Sequence, residues 1–147
     1  MLRVRRLTPV LVAVLPFFGG CSGIPSLVAV EGVVTIGGNP AANLLIQFTP
    51  KNWTTDSPII SSHAVSDANG RFVLMSTTNK PGAILGTHKV TVVDNALGTE
   101  DEPGDSKPKN RPRNRIPLIY NSTTTTPIEL AVEAGKKEYE VQVAGIR

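Results

Sequence analysis

Residues able to do covalent or metal chemistry are few in this chain of 147 residues. It has one cysteine, Cys21, and two histidines, His63 and His88. A single cysteine excludes an intramolecular disulfide and a cysteine-rich metal site, and two histidines leave little for a histidine-based one. From these counts we predict no catalytic residue, no metal site and no cofactor.

The two histidines are predicted to differ in surroundings. His88 falls on the inward face of the predicted strand 87–93, so we expect it to be buried, whereas His63 follows a polar loop and is expected at the surface. A catalytic triad needs an oriented base beside a nucleophile. The third functional hypothesis is an envelope metal-binding protein or hydrolase that uses His63 and His88.

The segment Asp67-Ala68-Asn69-Gly70 places side-chain oxygens at alternate positions, as a calcium loop does. No bidentate glutamate follows, because residues 72–74 are apolar. Turn chemistry explains these residues: Asp67 can cap its own turn, and Asn69 and Gly70 tolerate positive φ. We therefore predict a tight turn here and not a calcium site.

Two aromatic residues are weak candidates for ligand binding. Trp53 lies in a polar loop and Tyr120 in an apolar segment that is expected to dock on the domain. Either side chain can stack on a sugar ring, so a secreted carbohydrate-binding module is the alternative function. A sugar-binding face usually offers more aromatic residues than this.

The formal charge of +3 comes from the first residues of the chain. Three of the fifteen basic residues are Arg3, Arg5 and Arg6, so residues 21–147 carry twelve basic and twelve acidic residues. A neutral chain lacks the positive field that nucleic-acid binding requires. Residues 94–115 are rich in both charges and in proline, and we predict a mobile charged loop there.

The first residues have the layout of a signal peptide. The three arginines precede the apolar run Val10–Phe18, which is too short for a typical membrane span of about 20 residues. Small residues, Gly19 and Gly20, then precede Cys21. The string Phe18-Gly19-Gly20-Cys21 resembles the lipobox of bacterial lipoproteins.

That resemblance implies a lipoprotein signal peptide at residues 1–20, cut between Gly20 and Cys21. The Cys21 thiol would receive a diacylglyceryl group and its new amine a further acyl chain such as palmitate. More than one chain is needed for stable anchoring. Residues 21–27 would then be the lipidated cysteine and a tether. Ser22 resembles the signal for delivery to the outer membrane, where two membranes are present. The alternative is an ordinary secretory signal with an incidental cysteine.

The remaining residues predict an all-β domain, because β-branched residues alternate with polar ones between turn signals. About seven strands are expected, with inward positions such as Leu44, Phe48 and Val90. Gly32 interrupts one inward face, which indicates a bulge or close packing. Residues 63–75 and 127–143 are each predicted to form a hairpin.

Several motifs then resemble those of carboxypeptidase regulatory-like domains, in the order that family has them. They are Gly32-x-Val34-Thr35-x-x-Gly38-x-Pro40, Phe48-x-Pro50, Asp67-x-x-Gly70-x-Phe72 and Leu85-Gly86-x-His88-Lys89-Val90-x-Val92. The resemblance covers residues 28–143. It implies a seven-stranded transthyretin-like β-sandwich over residues 28–147, with His88 in a position where the family usually has tyrosine.

The sequence thus leads to one functional expectation. We expect a non-enzymatic protein held at a bacterial cell envelope by lipid on Cys21, which presents a β-sandwich as a binding or structural module. Its partner would be an envelope protein or a glycan.

Overall fold

A computed structural model describes residues 25–52, 59–95 and 113–146. In these ranges the chain forms eleven β-strands and, at Leu118–Asn121, a 3₁₀ turn. Seven strands have three or more residues and four have two. The strands are β1 (Leu27–Val28), β2 (Glu31–Ile36), β3 (Asn39–Pro40), β4 (Leu44–Pro50), β5 (Ser62–Val65), β6 (Arg71–Val73), β7 (Met75–Ser76), β8 (Ala83–Ile84), β9 (Gly86–Asp94), β10 (Glu129–Val132) and β11 (Glu138–Val143).

The strands form two main sheets that pack as a β-sandwich. The larger sheet has the order β10-β9-β4-β5-β7, and its pairs are antiparallel. In the smaller sheet β2 is central, with β11 on one side and β6 and β3 on the other. The short pair β1–β8 lies apart from both. The all-β sandwich expected from the sequence is confirmed.

Alternation along β4 and β9 builds the core. Leu44, Ile46 and Phe48 are completely buried, as are Val90 and Val92 on the neighbouring strand. In β4 each buried residue is followed by a more exposed one, because successive side chains point to opposite faces of a sheet. The inward positions predicted for these strands are thus correct.

The predicted hairpin at 127–143 is wrong. The turn forms, with Gly135 at φ +84°, but the two strands that flank it enter different sheets. β10 pairs antiparallel with β9, whereas β11 crosses the sandwich and pairs in parallel with β2. The Tyr139 hydroxyl accepts a hydrogen bond from the Glu133 N–H at 3.0 Å and so braces the crossing. Alternation predicted the buried face of each strand but carries no information about its partner.

The hairpin predicted at 63–75 is correct in its turn and at its ends, where His63 pairs antiparallel with Met75, and wrong for the residues between them. Asp67 Oδ1 accepts hydrogen bonds from the N–H groups of Asn69 and Arg71 at 2.8 and 2.9 Å, as expected for a self-capped turn. Yet β5 pairs with β4 and β7, while β6 pairs with β2 in the opposite sheet. The chain therefore crosses between the sheets at Gly70, where φ is +74°.

An ion pair closes one end of the sandwich. The carboxylate of Asp94, the buried last residue of β9, accepts a hydrogen bond from the Arg115 backbone N–H at 2.9 Å. It also accepts one from the Arg115 guanidinium at 2.6 Å. The same guanidinium reaches the Ala42 carbonyl at 2.8 Å, and its hydrogen bond to Asp94 raises the pKa of Arg115. Both ends of the stretch 94–115, expected to be a mobile charged loop, are thus held on the domain. Residues 96–112 lie outside the described ranges.

Gly32 allows the smaller sheet to form. A Cβ at this position would lie 2.0 Å from the Tyr139 carbonyl oxygen and 2.8 Å from Cζ of Phe72. Backbone atoms of a paired strand cannot move away without breaking the ladder. The close packing expected at Gly32 is confirmed.

Substitution of Gly32 is therefore expected to destabilise the fold. We predict that Gly32→Ala lowers the free energy of unfolding by about 2 kcal/mol or more, because overpacking against backbone forces β11 away from β2. Gly145→Ala is the control, since its Cβ would meet only an Ile36 methyl group at 3.1 Å. Urea denaturation followed by circular dichroism measures both variants. Equal stability of the two would contradict the close approach.

Candidate functional site

A groove of about 670 Å³ opens on the outer face of the smaller sheet, next to the turn between β5 and β6. Three valines give it an apolar floor: Val33 of β2, Val65 of β5 and Val73 of β6. Val65 and Val73 are 49% and 63% exposed, which is unusual for residues in strands that otherwise bury their apolar side chains. The groove therefore offers apolar surface that a ligand can cover.

The register of three strands fixes the side chains around this floor. β11 places Glu138 opposite Glu31 of β2 and Glu140 opposite Val33. On the other side of β2, Val73 of β6 lies opposite Glu31, and the residue opposite Val33 is Arg71. Side chains at these positions share the outer face because the sheet is pleated with a period of two.

The groove is acidic. Among the described residues, Glu31, Asp67, Glu138 and Glu140 line it together with one cation, Arg71. Asp67 is occupied by its turn, and Glu140 accepts a hydrogen bond from Gln142 at 3.0 Å. Glu31 and Glu138 form no ion pair with any described residue.

Adjacent like charges on an open sheet face have a consequence for binding. Carboxylates directly opposite each other on neighbouring strands are destabilising by themselves, as Glu31 and Glu138 are here. A cation placed between them relieves that repulsion, and a concave surface concentrates the field. The arrangement can therefore hold a positively charged ligand that also covers apolar surface, without covalent chemistry.

His88 is a core residue, as the sequence predicted. It is 1% exposed, its ring centroid lies 5.9 Å from that of Phe48, and its Nδ1 is 2.9 Å from the Gly86 carbonyl oxygen. Burial lowers the pKa of His88, and the hydrogen bond to Gly86 opposes that effect in part. The buried Nε2 has no hydrogen-bond partner in the described structure, which further disfavours a charged ring.

The two histidines do not form a common site. His63 is exposed on β5 and pairs with Gln47, whereas His88 points into the core from β9. They lie on opposite faces of the larger sheet. Among the described residues no group of three or more His, Cys, Asp or Glu side chains is arranged to hold a metal ion.

Of the remaining site candidates from the sequence, only Tyr120 lies in the described part of the chain, and it does not line the groove. Tyr120 is half-buried in the 3₁₀ turn, packs against the core and accepts the Ala144 N–H at 3.2 Å through its hydroxyl oxygen. Its hydroxyl is thus already used within the domain. Gly20, Cys21 and Trp53 lie outside the described residues. Within the described ranges no helix is long and apolar enough to cross a membrane.

Sequence reasoning missed the groove residues. In the sequence, Glu138 and Glu140 are simply the polar positions of an alternating strand. Because solvent-exposed strand faces commonly have this pattern, it did not indicate a site. Their significance comes from their position beside Glu31, more than one hundred residues earlier in the chain. The alternation of acidic residues in Glu138-Tyr139-Glu140 is the one signal that the sequence offered.

The fold and the groove define a β-sandwich protein with an open, acidic groove on its smaller sheet. Comparisons of the chain with protein-family models, with curated proteins and with solved structures found no match.

The lowered pKa of His88 predicts a pH dependence of stability. In the unfolded chain a histidine titrates near 6.5, above the pKa of His88 in the fold. The stability linked to neutral His88 is therefore complete above about pH 6.5 and is lost as the pH falls towards the folded pKa, by at most about 1.4 kcal/mol per pH unit. We expect His88→Phe to lose less stability than the wild type between pH 7.5 and pH 5.

Urea titrations at the two pH values measure this difference. His63→Gln is the control, because that ring is exposed and its replacement should leave the pH dependence of the wild type intact. An unchanged pH dependence in His88→Phe would show that His88 is not held neutral by burial.

Proposed function

We propose that this chain is a non-enzymatic protein of a bacterial cell envelope, anchored by lipid on Cys21, whose β-sandwich acts as a binding module. Where two membranes are present, Ser22 favours the outer one. The groove on the smaller sheet is the observation that carries the binding role. It combines apolar surface with carboxylates that form no ion pair within the described ranges, which is the composition of a recognition surface.

The anchor is supported by the order of features along the chain. A basic stretch, an apolar run and two glycines precede Cys21, and the first strand begins at Leu27. Six residues span at most about 20 Å when fully extended. A lipid on Cys21 would therefore hold the sandwich close to the membrane surface, where its groove meets other components of the envelope.

We also propose that the sandwich is transthyretin-like, of the carboxypeptidase regulatory-like kind. Support comes from the motifs that run from Gly32 to Val92 in the order of that family. The number of strands with three or more residues, seven, is compatible with this proposal.

Metabolic labelling with an alkyne analogue of palmitate tests the anchor. We expect the wild-type chain, expressed in a bacterial host, to carry the label and Cys21→Ala to carry none, because the thiol and the new amine of Cys21 are the acceptors. Ser22→Ala is the matched control and should be labelled like the wild type. Label that is absent from the wild type, or equal on Cys21→Ala, would reject lipidation and leave an ordinary secretory signal.

A further inference from the structure

We propose that the groove binds the basic segment 107–113 of a second copy of this chain, so that copies associate head to tail. This inference rests on the groove being the binding surface of the proposed function, and it does not depend on the lipid anchor. Three arguments carry it: the spacing of charges in the segment, the spacing of carboxylates in the groove, and the reach of the chain.

The segment KPKNRPR has a cation at every second residue: Lys107, Lys109, Arg111 and Arg113. Proline at 108 and 112 disfavours a helix. In an extended chain, residues two apart point to the same side and are about 6.6 to 7 Å apart. A bound, extended segment would therefore present a row of positive charges on one face.

The groove has carboxylates with the same spacing. Glu138 and Glu140 are two residues apart on β11, with Glu31 beside Glu138 on the next strand. Lysine and arginine carry aliphatic stems that cover apolar surface while the charged end remains solvated. The floor at Val33 and Val73 can receive such stems, and the carboxylates at the rim can receive their charges.

The end of the segment next to Arg115 cannot reach the groove of its own copy. Arg115 is fixed by its ion pair to Asp94 and by its carbonyl, which accepts the Ile146 N–H at 3.0 Å. From Arg115, four residues reach about 14 Å at most, so Arg111 stays within that radius. Glu140 lies six residues before Ile146, about 20 Å along an extended chain.

A second copy has no such restriction. Each copy carries one groove and one basic segment, and the two surfaces differ, so the contact is heterologous and is repeated from copy to copy. On a membrane, where the proposed anchor would confine the copies to a surface, a weak contact of this kind is strengthened by the high local concentration.

Binding of a synthetic peptide tests the proposal. A fluorescein-labelled peptide of residues 107–113, KPKNRPR, is titrated with the full-length chain in a non-ionic detergent, and fluorescence anisotropy gives the affinity. We expect saturable binding that weakens at least tenfold in the double variant Glu138→Gln/Glu140→Gln and that also weakens in 0.5 M salt. Glu133→Gln, an exposed substitution outside the groove, should change the affinity less than twofold.

A second peptide tests whether binding depends on the spacing of the cations or only on their total charge. PNKKRRP has the same composition with its cations consecutive, and we expect it to bind at least fivefold more weakly. Absence of binding by KPKNRPR, equal binding of both peptides, or unchanged binding by the double variant would overturn the proposal. Circular dichroism of the double variant confirms that it is folded. None of these outcomes affects the palmitate label on Cys21, so the proposed anchor is judged separately.

Discussion

The contact between Gly32 and the backbone of Tyr139 is the constraint on which the smaller sheet depends. β2 is central in that sheet, and β11 can lie in parallel beside it only because position 32 has no side chain. Tyr139 in turn holds the crossing from β10 through its hydroxyl. A single missing methyl group thus allows the last strand to close the sandwich over a core that β4 and β9 supply.

The groove follows from this same arrangement. Most of its floor and rim comes from β2, β6 and β11. The inward residues of these strands are fixed by packing, so their outward residues have little freedom of position. Glu31 and Glu138 are neighbours because the register is parallel and set at Gly32. The open face of this sheet therefore carries carboxylates that pair with no cation in the described part of the chain. Stability alone would favour the opposite arrangement.

The sequence was informative about faces and turns. Period-two alternation correctly predicted the burial of Phe48, Val90 and His88, and turn chemistry correctly placed the cap at Asp67. Alternation did not predict which strands pair with each other, because an alternating strand can pair with any sheet edge that buries the same face. The groove could not be predicted for the same reason, because its residues are brought together by the register between strands that are far apart in the sequence.

The parallel pairing of β2 with β11 has a mechanical consequence. β2 leads away from Leu27, near the start of the described chain, and β11 leads towards Ile146, near its end. A force that pulls these two residues apart acts on opposite ends of a parallel pair. The interstrand hydrogen bonds are evenly spaced in such a pair and are loaded in shear together, not opened one after another. Resistance to such a force is therefore concentrated where β2, the first long strand of the described chain, meets β11, its last.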